Sequence, residues 1–229
     1  MLELGLPRAF AIADQTLALY GERAVHWPAA DALLVADLHL GKGEVFRRAG
    51  LAIPRGGTAT DLARLAALLQ ATRAGRLIIL GDVLHGALHR QAAWRDDWRA
   101  FRDAHAGLRI EAIVGNHDRA LRDDAGPADL GLVRREAVAV ERGLVLCHEP
   151  EQAPPGHPSL CGHQHPAARV TGLGRLPAFW WRAASRQLVL PAFSAFTGHT
   201  LPRPSAGDAF LACAGHAVLP PVPAAPRRA

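Results

Sequence analysis

Residues 112–120 read AIVGNHDRA: a short apolar run stops at Gly115 and gives way to Asn116, His117 and Asp118. The same syntax recurs along the chain. ALLVADLHLG (32–41) carries Asp37 and His39, RLIILGDVLHG (76–86) carries Asp82 and His85, GLVLCHEP (143–150) carries His148, and GHQH supplies His163 and His165. Carboxylates, imidazoles and one carboxamide, without thiolates, suit borderline and hard divalent ions such as Mn, Fe or Zn. Asp37, His39, Asp82, Asn116, His148, His163 and His165 exceed the three or four ligands of a single zinc site. They suit two ions about 3.5–4 Å apart that share a bridging carboxylate. Each histidine alone reads more simply as an ordinary hydrogen-bonded side chain, but the ordered set reverses that preference.

Elements that would position these residues are visible in the apolar patterning. Runs apolar on both faces before each polar cluster are what buried strands look like. Between them, TATDLARLAALLQATRAG places Leu62, Leu65, Leu68 and Leu69 on one helical face, with Thr58 and Asp61 at capping-box spacing. RQAAWRDDWRAFRDAHAG places Trp94, Trp98, Phe101 and His105 likewise. This is α/β alternation. Four strands in one sheet would bring four polar clusters to one rim, beyond the strands' carboxyl ends. Asp-x-His and His-x-His would then set two ligands on one side of an extended segment. Gly81, Gly115 and Gly162 precede three clusters, where a missing side chain lets the backbone approach an ion or phosphate. AFAIADQTLALY reads as an N-terminal hairpin and residues 180–219 as further strands, and a second packed sheet would accommodate both. One domain over 1–219 is expected, followed by a disordered Pro/Ala-rich tail at 220–229.

The 229-residue chain has 49% hydrophobic and 21% charged residues, which excludes disordered and fibrous classes. No run is long and apolar enough to span a membrane, and three cysteines, Cys147, Cys161 and Cys213, are too few for a disulfide framework. A cytoplasmic protein is expected. The net charge of +5 favours polyanionic partners.

D-x-H, GD, GNHD, H and GHxH, in that order over residues 37–165, resemble the calcineurin-like metallophosphoesterases. The resemblance implies an α/β/β/α sandwich of two mixed sheets with two metals at the strand ends. It implies one metal on Asp37, His39 and His165, a second on Asn116, His148 and His163, and Asp82 bridging them. His117 resembles the family's catalytic histidine, with Asp118 expected to orient its imidazole. DLHLGKGEVFRRAGLAIPRGG, GDVLHG and LPAFSAFTGH further resemble the ligase-associated PdeM phosphoesterases. That group's properties imply two divalent ions, Mn ahead of Fe, Zn or Co, and DNA endonuclease activity linked to ligase, helicase and exonuclease repair factors.

On this reading a metal-activated hydroxide attacks phosphorus while His117 assists the departing oxygen. His85 is expected to touch a substrate phosphate, and Lys42, Arg47, Arg48 and Arg55 to bind flanking phosphates. The DNA is expected to be single-stranded or locally unpaired, and a homo-oligomer is compatible with the sequence. Two other functions compete: a small-molecule phosphoesterase acting on nucleotide diesters or diphosphates, and a non-catalytic scaffold. The second is disfavoured because every ligand position is filled. Trp94, Trp98 and Phe101 read as a buried stripe, and Cys147 as core facing away from His148. One of Trp180 and Trp181 is expected to be exposed, and His199 stays unassigned.

Overall fold

The computed structural model describes residues 4–86, 88–89, 91–123 and 125–223. In chain order the first strands are β1 (Arg8–Ile12), β2 (Gln15–Tyr20), β3 (Ala24–Trp27), β4 (Ala32–Val35), β5 (Arg76–Leu80), β6 (Arg109–Ile113) and β7 (Val133–Arg134). They lie side by side in that order, antiparallel from β1 to β4 and parallel from β4 to β7. Parallel neighbours need a crossover connection. Helices α1 (Lys42–Arg48) and α2 (Gly57–Thr72) link β4 to β5, α3 (Trp94–Ala104) links β5 to β6, and α4 (Ala125–Leu130) links β6 to β7.

The remaining strands are β8 (Val138–Glu141), β9 (Leu144–Cys147), β10 (Ser159–Cys161), β11 (Ala167–Val170), β12 (Gly174–Arg182), β13 (Gln187–Val189), β14 (Ala209–Ala214), β15 (Ala217–Val218) and β16 (Val222–Pro223). They form a second mixed sheet of order β15-β14-β12-β13-β10-β9-β8, with β11 beside β12 and β16 beside β14. Alternation along the strands explains the layers. Leu33, Val35, Leu77 and Ile79 face Leu62, Leu65, Leu68, Trp98 and Phe101 of the helices. Leu34, Ile78 and Leu80 face the other way and pack on Leu146, Leu160, Phe179 and Leu188 of the second sheet. At the strand ends away from the polar clusters, Arg76 ties the sheets together, 2.7 Å from Glu111 and 2.6 Å from Glu141, with Arg135 2.9 Å from Glu141.

Several expectations change in detail. β9, which precedes His148, lies in the second sheet and not beside β6, because residues 138–147 close as the antiparallel β8–β9 hairpin through left-handed Arg142 and Gly143. The clusters therefore meet across two sheets. The N-terminal strands extend the first sheet instead of joining the C-terminal strands. α2 has Gly56 at its N-cap with no side-chain cap, and Asp61 is buried and used elsewhere. The two-sheet sandwich is as expected, while all four α-helices among the described residues fall in the chain between β4 and β7. On the outer face of the second sheet, Trp180 and Phe210 pack with Ala168 of β11, and Val145, Cys147 and Cys161 pack with Ala153 beside the 3-10 turn Pro150–Gln152. Of the expected tail, Val222–Pro223 pair with β14 and residues 224–229 lie outside the described residues.

Candidate metal centre

Beyond β4 and β5 the two chains stay zipped: Asp37 N donates to Gly81 O at 3.1 Å and His39 N to Asp82 O at 2.8 Å. The segments are not extended, however. Asp37, His39, Asp82, His163 and His165 all have left-handed backbone, with φ of 55°, 49°, 50°, 71° and 47°. Each such non-glycine residue costs on the order of 1–2 kcal/mol, so alternating turns, not strand pleating, aim these side chains inward. Gly81 and Gly115 make room for ligand side chains rather than for an ion or phosphate, while Gly162 lies against Ala36 and the Leu80 carbonyl. A Cβ on Gly81 would lie 2.1 Å from His148 Nδ1, and one on Gly115 would lie 2.3 Å from Asp82 Oδ1.

Two groups result, Asp37 with His39 and His165, and Asp82 with His148 and His163; within each, the ligand atoms lie within 4.8 Å of one another. Asn116 Oδ1 joins the second group, 3.1 Å from both His148 Nε2 and His163 Nδ1. Those two imidazole nitrogens are 3.2 Å apart, and Asp82 Oδ1 is 3.5 Å from His148 Nε2. His148 Nδ1 sits 2.9 Å from Leu80 O, which as an acceptor requires the proton on Nδ1 and leaves the Nε2 lone pair facing the group. His39 is buried with neither ring nitrogen hydrogen-bonded, and His165 Nε2 lies 3.2 Å from Asp37 Oδ1 without hydrogen-bond geometry. Buried imidazole nitrogens without partners are costly unless something else satisfies them. Burial, reinforced by Lys42 and neighbouring histidines, lowers the His39 pKa to about 2, so it stays a neutral donor. These residues fit a binuclear site of oxygen and nitrogen ligands.

His117 is exposed, and its backbone N donates to Asp82 Oδ1 at 3.0 Å. Its ring centroid lies 5.7 Å from that of His39 and 5.2 Å from that of His85. His85 is half-buried against Phe46, and burial followed by Lys42 and His117 lowers its pKa to about 4. Asp118 does not orient His117. Its fully buried carboxylate accepts from the backbone N of Val83, Leu84 and Gly115 at 3.1, 2.8 and 2.9 Å, tying the Asp82 and Asn116 loops together. Lys42, Arg47, Arg48 and Arg55 line one cavity of about 310 Å³ together with His39, with Glu44, Asp61 and Asp97 also in its wall. Arg47 is partly spent on Pro54 O, at 3.0 Å. The tryptophan pair offers no stacking platform: Trp180 is buried and donates to Asp208 at 3.1 Å, and Trp181 is half-buried against Phe10.

The structure adds residues that the spacing did not reveal. Buried Lys42 donates to buried Thr197 Oγ1 at 3.1 Å, and burial lowers its pKa against the pull of Asp37 and Asp82. The 192–197 segment carrying Thr197 is strapped down by Arg23, which donates to Ser194 O at 3.2 Å. Arg64 donates to Phe193 O, and Asp61 accepts from Ala195 N at 3.2 Å. Phe193 N and Ser194 N in turn bond the carbonyls of Ala36 and Asp37. The signal in the sequence was an aspartate on the buried side of α2, where a carboxylate needs a partner.

A two-sheet sandwich with helices on one side, and with two His/Asp ligand groups at the strand ends, defines a metal-dependent phosphoesterase; the chain belongs to the metallophosphoesterase family. It is similar over its length to nuclease MPE of Pseudomonas putida, whose crystal structure it matches with a TM-score of 0.79 at 35% sequence identity, covering 94% of this chain and 100% of that one. Yfce, a phosphoesterase from E. coli, matches with a TM-score of 0.44 at 17% identity, over 85% of this chain and 99% of that one. No family model and no curated protein matches the chain. No helix among the described residues is long and apolar enough to cross a membrane.

Proposed function

We propose that this protein hydrolyses DNA phosphodiester bonds as a binuclear, manganese-dependent endonuclease acting on single-stranded or locally unpaired DNA. The observation that carries the reading is the cavity that Lys42, Arg47, Arg48 and Arg55 line together with His39: its four cations outnumber the carboxylates of Glu44, Asp61 and Asp97 and offer more phosphate contacts than a small diester needs. The whole-length likeness to a nuclease supports the same substrate class.

Asp37, His39 and His165 would hold one ion, and Asn116, His148 and His163 the other, with Asp82 shared. When bound, the ions supply Lewis acidity and a water acidic enough to attack near neutral pH. The chain's own groups do the rest. Asp118 fixes the two loops that present Asp82 and Asn116. Lys42, held by Thr197, presents its ammonium to the phosphoryl group. His117, exposed beside the ligands, donates a proton from its imidazole to the departing alkoxide, a poor leaving group in DNA. His85 stays neutral behind it, available as a hydrogen-bond partner to a phosphate oxygen. A place beside ligase, helicase and exonuclease repair factors rests on the sequence resemblance and belongs to the same proposal.

The test uses manganese-loaded protein with circular single-stranded DNA and, in parallel, bis-p-nitrophenyl phosphate, with Asp82→Ala as control for contaminating nucleases. Linear products from the circle, with wild type alone, are expected. Turnover of the small diester with intact circles would retain the chemistry and reject the DNA assignment.

A further inference from the structure

The His39 cavity is not the only opening at the centre. A second cavity of about 650 Å³ is lined by Asn116 and His117 together with Gly86, Leu88, Arg119 and Ala120. Among the described residues it shares no lining residue with the cationic cavity. The two therefore leave the centre from different ligand groups, one from the His39 group and the other from the Asn116 group.

Their chemistry differs as well. Leu88 and Ala120 are half-buried and pack on the helix-side core, which gives the second cavity a supported apolar floor. Arg119 stands at its edge on the 3-10 turn Arg119–Leu121; the residue is exposed, and its guanidinium makes no ion pair or hydrogen bond among the described residues. An apolar floor bounded by one free guanidinium suits a sugar or base followed by a phosphate, since the planar donor fork matches phosphate oxygens. The first cavity, with four cations, suits a run of phosphates instead.

We infer that this second cavity seats the nucleoside that departs on cleavage, with Leu88 and Ala120 beneath its base or sugar and Arg119 pairing with the next phosphate along. The inference rests on the DNA reading above and on His117 as proton donor. Water oxygen forms the new bond to phosphorus as the ester P–O bond breaks and leaves its electron pair on the ester oxygen, which takes the His117 proton, so the departing nucleoside lies on the His117 side. The nucleoside that keeps the phosphate then lies toward Lys42.

The test compares two thymidine dinucleotides, each carrying one extra terminal phosphate, either on the nucleoside that leaves or on the one that keeps the cleaved phosphate. Product chromatography identifies which is which. Arg119→Ala is expected to lower kcat/KM roughly tenfold for the first and to leave the second within about twofold, with Arg119→Lys recovering part of the loss. Equilibrium binding of the matching dinucleotides whose scissile ester oxygen is replaced by methylene should show the same one-sided loss. Equal losses on both substrates, or none on either, would overturn the assignment while leaving the nuclease reading intact. A wild type that linearises circular DNA but neither cleaves nor binds the dinucleotides would overturn the subsite alone, whereas one that turns over bis-p-nitrophenyl phosphate with circles and dinucleotides both intact would overturn the DNA reading and this subsite with it.

Discussion

His117 reaches the centre from an exposed turn, yet its backbone N is anchored to Asp82, so its position is set by a carboxylate that also faces the ligand histidines. Replacing it by asparagine should leave metal content unchanged and slow DNA cleavage on the order of 10²–10⁴-fold. Bis-p-nitrophenyl phosphate, with a far better leaving group, should lose much less; equal losses on both substrates in steady-state assays would contradict proton donation. Lys42 makes a second case. Its buried ammonium has Thr197 Oγ1 at 3.1 Å. Thr197→Val removes that acceptor and should raise KM for DNA by about 3- to 10-fold with little change in kcat, and Thr197→Ser should restore it. A valine variant with wild-type KM would detach Lys42 from substrate. The Asp37-to-His165 order was readable in the sequence because ligand types and spacing survive any backbone path. The Asp118 contact was not, because a carboxylate next to a histidine in sequence is free to point at backbone amides instead.

Among the elements, helices α2 and α3 follow their apolar periodicity, and Leu62, Leu65, Leu68, Trp98 and Phe101 are buried as that periodicity requires. Strands β4, β5, β6 and β9 were legible as strands. Which sheet took β9 was not, since a run apolar on both faces suits either. The left-handed turns at the ligands also escape periodicity, which describes regular elements only. Away from the site, the join between the two sheets has its own pH signature. Arg76 above all, opposed by burial and helped further by Arg135, holds the Glu141 carboxyl below its ordinary pKa of 4.5. A depressed folded pKa contributes stability above the unfolded value and loses it as pH falls through the folded one. Chemical denaturation should therefore place wild type above Glu141→Gln by a constant margin from pH 7 to about 4.5 and by a shrinking margin below. A margin independent of pH across that range would remove the ion pairs as its cause.

At the scale of the whole molecule, two sheets meet so that clusters from both close around one centre, and a net charge of +5 is spread over a chain whose cationic cavity opens beside it. If Arg47 and Arg48 each neutralise a phosphate, the Arg47→Ala/Arg48→Ala double variant should bind single-stranded DNA more weakly and lower the slope of log affinity against log salt by about 1.4. An unchanged slope would make them ordinary solvated arginines. The cleavage predictions rest on two ions held by side chains from both sheets, and diffraction from manganese-soaked crystals at the manganese absorption edge is the direct test of that. Two anomalous peaks are expected, one among Asp37, His39 and His165 and one among Asn116, His148 and His163, with Asp82 between them. A single peak, or none at these residues with manganese bound elsewhere, would contradict it.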